Sequence, residues 1–73
     1  FRQLAKLAEE TGELVADISR GRHRRRIADS IGDCVVVLTI LAAQNGLQIE
    51  DCIAQAYDEI KDRRGVMRDG VFN

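Results

Sequence analysis

Five carboxylates stand in two short stretches of this chain, at spacings that suit work on phosphates. Glu9, Glu10 and Glu13 come first, and Asp29 and Asp33 follow one helical turn apart. On a helix, positions three and four apart stack on one flank. Glu10, Glu13 and Asp17 therefore share an edge, with Glu9 beside them. Like charges at that spacing repel by about a few tenths of a kcal/mol per pair, so the flank needs cations from the chain or a bound one. Lys6 and Arg20 are the partners within reach, and they leave Glu9 and Glu13 uncovered. An all-oxygen set of carboxylates suits a hard divalent cation, Mg²⁺ or Mn²⁺, better than zinc or copper. Mg²⁺ keeps waters and bridges carboxylates to substrate phosphates. Read alone, the same residues also allow a plainer role: a solvated acidic face, with Asp29 favourable to the dipole of its helix.

Three helices have to position these groups. The chain has no proline and few aromatics, which favours helix over sheet. The first helix is expected over residues 2–19, ending before Gly21 as a left-handed cap. Its apolar arc, Leu4, Leu7, Ala8, Thr11, Leu14, Val15 and Ile18, is expected to face a core. A basic connector over residues 20–26, RGRHRRR, follows. The second helix is expected over residues 27–44, ending at Asn45-Gly46. Val35, Val36, Val37 and Ile40 have strand propensity, but the segment is too long for an ordinary strand. It is apolar on two sides: Ile27, Ile31, Cys34, Leu38 and Leu41 line one, and Val36, Ile40 and Ala43 the other. One side suits the neighbouring helices and the other a second copy of the chain. The third helix, expected over residues 50–63, carries Ile49, Ile53, Ala56, Tyr57 and Ile60 on one face. An irregular tail over residues 65–73, turning near Asp69-Gly70, is expected to follow. If the first two helices pack antiparallel, Glu10 and Glu13 come level with the first turns of the second. Gly32 between the aspartates lets a helix or a substrate approach closely.

Seventy-three residues make one domain with a small core, and chains of about 70–80 residues or fewer usually need a staple or a partner. Cys34 and Cys52 sit among apolar residues and read as reduced core positions of a cytoplasmic protein, with a disulfide joining the two helices as the alternative. With one histidine, His23, they do not complete a structural zinc site. The formal charge of −1 gives no overall pull toward nucleic acid or membrane. The apolar run from Cys34 to Ala43 is too short to span a bilayer, and nothing resembles a signal peptide. Self-association is the remaining source of stability.

Glu9-Glu10-x-x-Glu13, then a basic connector, then Asp29-Ser30-Ile31-Gly32-Asp33 opening an apolar helix, resembles the signature of the MazG-like all-α nucleoside triphosphate pyrophosphohydrolases. The stretch from Tyr57 to Gly65 resembles the basic end of that family's third helix, especially in phage-type members. The resemblance covers nearly the whole chain. It implies hydrolysis of an NTP or dNTP to the monophosphate and pyrophosphate, with Mg²⁺ held by Glu10, Glu13 and Asp33. Glu9 would orient or activate the attacking water, and attack would fall on the α-phosphorus. Lys61 and Arg64 are the residues the resemblance sets against phosphate oxygens. The family usually has glutamate three residues before the second-motif aspartate. Here that position is Ser30, and Asp29 is expected to stand in as a metal ligand. A third-helix asparagine of the family corresponds to Asp58.

Arg20, Arg22, Arg24, Arg25 and Arg26 form the densest positive charge. They read as a solvated connector, as a sequence-independent nucleic-acid patch, or as arginines meeting triphosphate oxygens. The lack of an aromatic among them disfavours single-strand recognition. Tyr57 reads as a core or interface ring, or as a base-stacking residue. The expectation is thus an all-α protomer of three helices that dimerises or tetramerises into four-helix-bundle-like Mg²⁺ sites and hydrolyses nucleotides. The rival is a non-enzymatic helical interaction or nucleic-acid-binding module using the connector.

Overall fold

The computed structural model describes the backbone of residues 1–66, with side chains through Asp62. Three helices follow one another: α1 (Arg2–Ser19), α2 (Arg24–Gln44) and α3 (Ile49–Val66). The expected tail loses its first two residues, Gly65 and Val66, to α3, and the turn at Asp69-Gly70 lies outside the described residues.

Two glycines set the corners. After α1, Gly21 adopts φ +67°; its N–H bonds to the Ile18 carbonyl at 3.1 Å, and Arg22 N–H bonds to the Asp17 carbonyl at 3.0 Å. After α2, Gly46 adopts φ +72°, and Gly46 and Leu47 make the same pair of bonds to Ala43 and Ala42, at 3.0 and 2.8 Å. Both are Schellman closures, which satisfy the last carbonyls of a helix and favour glycine at the left-handed position.

The second helix begins earlier than residue 27. His23 is its N-cap, its Nδ1 accepting the Arg26 N–H at 3.4 Å. Arg24, Arg25 and Arg26 therefore belong to the first turn of α2, and the connector shrinks to residues 20–23. Arginine has good helix propensity and extends the helix once a cap is available.

The buried face of α1 differs from its apolar arc. Leu4, Val15 and Ile18 are exposed, as are Ala8 and Thr11; the inward residues are Gln3, Leu7, Glu10, Leu14 and Asp17. The inward residues of α2 are Ile27, Ser30, Cys34, Val37 and Leu41, with Ala42 beside Leu41. Both sets alternate steps of three and four, the seam of two helices packed nearly antiparallel. Ile31 and Leu38, expected inside with Cys34, are 47% and 41% exposed. Polar members are part of the seam. Asp17 bonds to Ser30, a pairing that this rotation of the hairpin accommodates while part of the wider hydrophobic arc stays uncovered.

Among the described residues Cys34, Val37 and Ala42 are the buried apolar ones, none of them completely, and α3 meets α2 but not α1. The fold is flat, 38 × 36 × 18 Å, with a radius of gyration of 15.3 Å; a compact domain of this length has about 11 Å. By length and composition α2 is able to cross a bilayer, more than its apolar core run suggests. Its seam is packed on α1, and two aspartates interrupt its first half, where a charge in lipid costs about 2.5–3.5 kcal/mol. It is the central helix of the fold.

Candidate active site

The α1–α2 corner opens into a cleft of about 540 Å³. Glu13 and Asp17 enter it from α1, Asp29 and Asp33 from α2. Ser30, His23, Arg25 and Arg26 complete the lining. The two acidic motifs thus meet through Glu13 and the aspartates, as the antiparallel hairpin requires. Counting back from the Asp17–Ser30 pair, one turn brings Glu13 level with Asp33. Another turn brings Glu10 level with Val37, so Glu10 sits one turn further along the seam and not beside the first turn of α2.

At the centre of the lining is a buried network. Asp17 is 6% exposed and Ser30 7%. The Ser30 hydroxyl donates to Asp17 Oδ2 at 2.5 Å, and Arg26 Nε lies 3.4 Å from Asp17 Oδ1. Both carboxylate oxygens are occupied, one by a hydroxyl and one by a cation, which makes burying the charge tolerable. Arg26, not Arg20, is the cation for Asp17. Sequence spacing shows only neighbours on one helix and misses a partner supplied across the seam. The available signal was the period-3.5 alignment of Asp17 and Ser30 with inward positions.

Glu10 is 8% exposed, and its Oε1 is buried with no hydrogen-bond partner, while Lys6 Nζ sits 3.5 Å from Oε2. Lys6 also reaches Glu9 at 3.7 Å, so Glu9 is covered more fully than the spacing suggests. Glu9 first, then Glu10, stabilise the ammonium and hold the Lys6 pKa above its ordinary 10.5. Glu13, Asp29 and Asp33 are exposed and have no ion pair among the described residues.

The donor chemistry fits a hard divalent cation. The carboxylates supply only oxygen, and the orphaned Glu10 Oε1 is an acceptor that a cation would satisfy. Among the described residues, no three His, Cys, Asp or Glu side chains converge tightly enough to hold a metal by themselves. In the single protomer, the motif carboxylates line a seam and its open end.

The α3 residues lie apart. Tyr57 is 59% exposed and Lys61 is exposed, and neither lines the cleft. Arg64 is within α3, with its side chain outside the described residues. Asp58 is exposed on the same helix.

Residues 2–66 match the MazG nucleotide pyrophosphohydrolase domain. The chain belongs to that family, and its three helices without a described strand agree with an all-α fold of that type. A relative, the "Uncharacterized 18.2 kDa protein in rep-hol intergenic region" of Haemophilus phage HP1 (strain HP1c1), is 50% identical over 44 residues, which are 60% of this chain and 26% of that protein. No solved structure matches the chain.

Proposed function

We propose that the chain is a Mg²⁺-dependent nucleotide pyrophosphohydrolase that converts an NTP or dNTP to the monophosphate and pyrophosphate. The observation that carries this reading is a cleft lined by Glu13, Asp29 and Asp33, drawn from both acidic motifs, together with Arg25 and Arg26. Membership of the family supports the reaction class. Glu13, Asp29 and Asp33 of the cleft, with Glu10 from one turn along the seam, would hold Mg²⁺, with Mn²⁺ as a substitute. When bound, the cation supplies neutralisation of charge on phosphate oxygens. Glu9 orients the water that attacks the α-phosphorus; the α–β bridging P–O bond then breaks and pyrophosphate leaves with the bridging oxygen.

The working unit is a homodimer or tetramer. Val35, Val36, Ile53, Tyr57 and Ile60 are between 40% and 61% exposed, and an unpartnered surface of this kind favours association. Since α3 does not touch α1 in the protomer, assembly is the route by which Tyr57, Lys61 and Arg64 would serve a cleft formed with another copy. The unpaired Cys34 and Cys52 suit a reducing cytoplasm.

The experiment is quantification of both products from a panel of NTPs and dNTPs, with Mg²⁺ and with EDTA, for wild type and Glu10→Gln. Equal amounts of monophosphate and pyrophosphate, absent with EDTA and reduced in the variant, support the proposal. Salt-sensitive retention of nucleic acid without turnover supports the binding-module alternative instead.

A further inference from the structure

The two acidic motifs leave the basic side of the cleft without a task. Arg25 and Arg26 project from the first turn of α2, not from a loose connector, and both line the cleft opposite Glu13. Arg26 is anchored in an unusual way for a solvated side chain. Its own side chain is 56% exposed, yet its Nε is paired with a carboxylate whose side chain is only 8% exposed. Ser30 takes the other oxygen of that carboxylate, so Asp17 is held on two sides and presents a fixed point to the guanidinium. Asp17 is the one carboxylate that pairs with the Arg26 guanidinium among the described residues, and it does so through Nε. A planar fork held at one edge by a carboxylate recognises phosphate oxygens in pairs through its other donors.

From this geometry we infer that Arg26, positioned by the Asp17–Ser30 pair and assisted by Arg25, binds the phosphate chain of the substrate. The inference rests on the nucleotide reading above and adds to it the residues that hold the polyphosphate independently of base and sugar. Glu13, Asp29 and Asp33 repel a bare polyanion, so the cleft needs fixed cations as well as a divalent ion. Arg25 and Arg26 also stand at the N-terminus of α2, where the helix dipole favours negative charge. Asp17 is a positioning residue and touches no substrate. Serine at position 30 is part of the device: a carboxylate there would compete with Asp17 for Arg26, whereas a hydroxyl fixes Asp17 and leaves the guanidinium facing the cleft.

The test uses inorganic tripolyphosphate, which carries the phosphate chain of any nucleoside triphosphate without base or sugar. Its affinity is measured by calorimetry in Mg²⁺ for wild type, Arg25→Gln, Arg26→Gln, Arg26→Lys and Asp17→Asn, with helicity checked by circular dichroism. Arg25→Gln and Arg26→Gln are each expected to weaken binding by about tenfold. Arg26→Lys restores part of the loss. Asp17→Asn keeps an acceptor for Ser30 but removes the charge that holds Arg26, and weakens binding severalfold. In turnover, KM rises with these losses while kcat changes less, a split that a general loss of structure does not produce.

Wild-type affinity in Arg25→Gln and Arg26→Gln with helicity retained overturns the inference, as does a wild-type chain that does not bind tripolyphosphate. If Arg26→Gln loses its helices, Arg25→Gln decides, because Arg25 has no ion pair among the described residues to lose. Weakened tripolyphosphate binding in the variants of a chain that hydrolyses no nucleotide would sink the nucleotide reading and leave the phosphate site standing. Metal-dependent hydrolysis unaltered by any arginine variant would do the reverse.

Discussion

Ser30 of α2 donates its hydroxyl to the buried carboxylate of Asp17 on α1, joining residues thirteen apart in sequence. The bond belongs to the rotation of α1 that brings Glu13 and Asp17 to the cleft. Removing the hydroxyl leaves one buried carboxylate oxygen without its donor. Ser30→Ala is expected to lower the unfolding free energy by about 1–3 kcal/mol, read by urea denaturation at fixed protomer concentration, since association shifts apparent stability. A change below a few tenths of a kcal/mol would mean that the bond does not persist in solution.

Lys6 gives a pH signature. Its pKa is raised chiefly by Glu9 and then Glu10. A raised lysine pKa means that the folded state holds the proton more tightly than the unfolded state. The resulting stabilisation is fully present below the ordinary 10.5 and fades as pH climbs through the higher folded value. Wild type should therefore exceed Lys6→Met in stability at neutral pH, and the two should converge above that range. Parallel curves with no convergence on the alkaline side would show that the lysine acts by packing and not by charge.

The glycines at the corner and in the helix should respond in opposite directions. Gly21 has φ +67°, while Gly12 lies within α1 with nothing near an added Cβ. Gly21→Ala should cost about 1 kcal/mol. Gly12→Ala should gain about 0.5–1 kcal/mol from helix propensity. Thermal denaturation of both variants distinguishes them by sign. Equal signs would argue that Gly21 is not a left-handed cap or that Gly12 faces a partner.

Association should be measurable. Val36 is 58% exposed on α2 and Ile53 61% exposed on α3, and burying one such side chain is worth about 1.5–3 kcal/mol. Wild type should sediment as a dimer or larger species, and Val36→Glu or Ile53→Glu should shift it toward the protomer with a fall in helicity. Sedimentation of wild type as a protomer at all concentrations would refute the assembly.

The sequence made α1 legible because its helical period runs unbroken to Gly21, which supplies the left-handed cap, although Phe1 at its start caps nothing with its side chain. It also carried the three-helix order, and it allowed the two acidic motifs to meet if the first two helices packed antiparallel, which a short connector permits but does not force. The start of α2 was not legible. A run of arginines after glycine looks like a connector, and histidine is not among the favoured N-cap residues, so the cap at His23 gave no advance sign. The inward face of α1 was hidden for a related reason. Glu10 and Asp17 count as polar in any periodicity, yet both are buried because Lys6, Ser30 and Arg26 answer them. Such partnerships depend on register across the seam, and register became visible only with the hairpin formed. Arg26 remained one arginine among five until its partner was known.

Pyrophosphate release from NTPs and dNTPs in Mg²⁺, compared between wild type and Glu13→Gln, tests the catalytic reading most directly. Glu13 is the residue of the first motif that shares the cleft with Asp29 and Asp33, and it is exposed with no ion pair among the described residues, so its amide variant should keep its helices. Wild type is expected to release pyrophosphate, EDTA to abolish that release, and Glu13→Gln to lower it by about a hundredfold or more, equivalent to roughly 2.7 kcal/mol of barrier. Release at the wild-type rate from Glu13→Gln, or no metal-dependent release from any nucleotide, would contradict the catalytic reading.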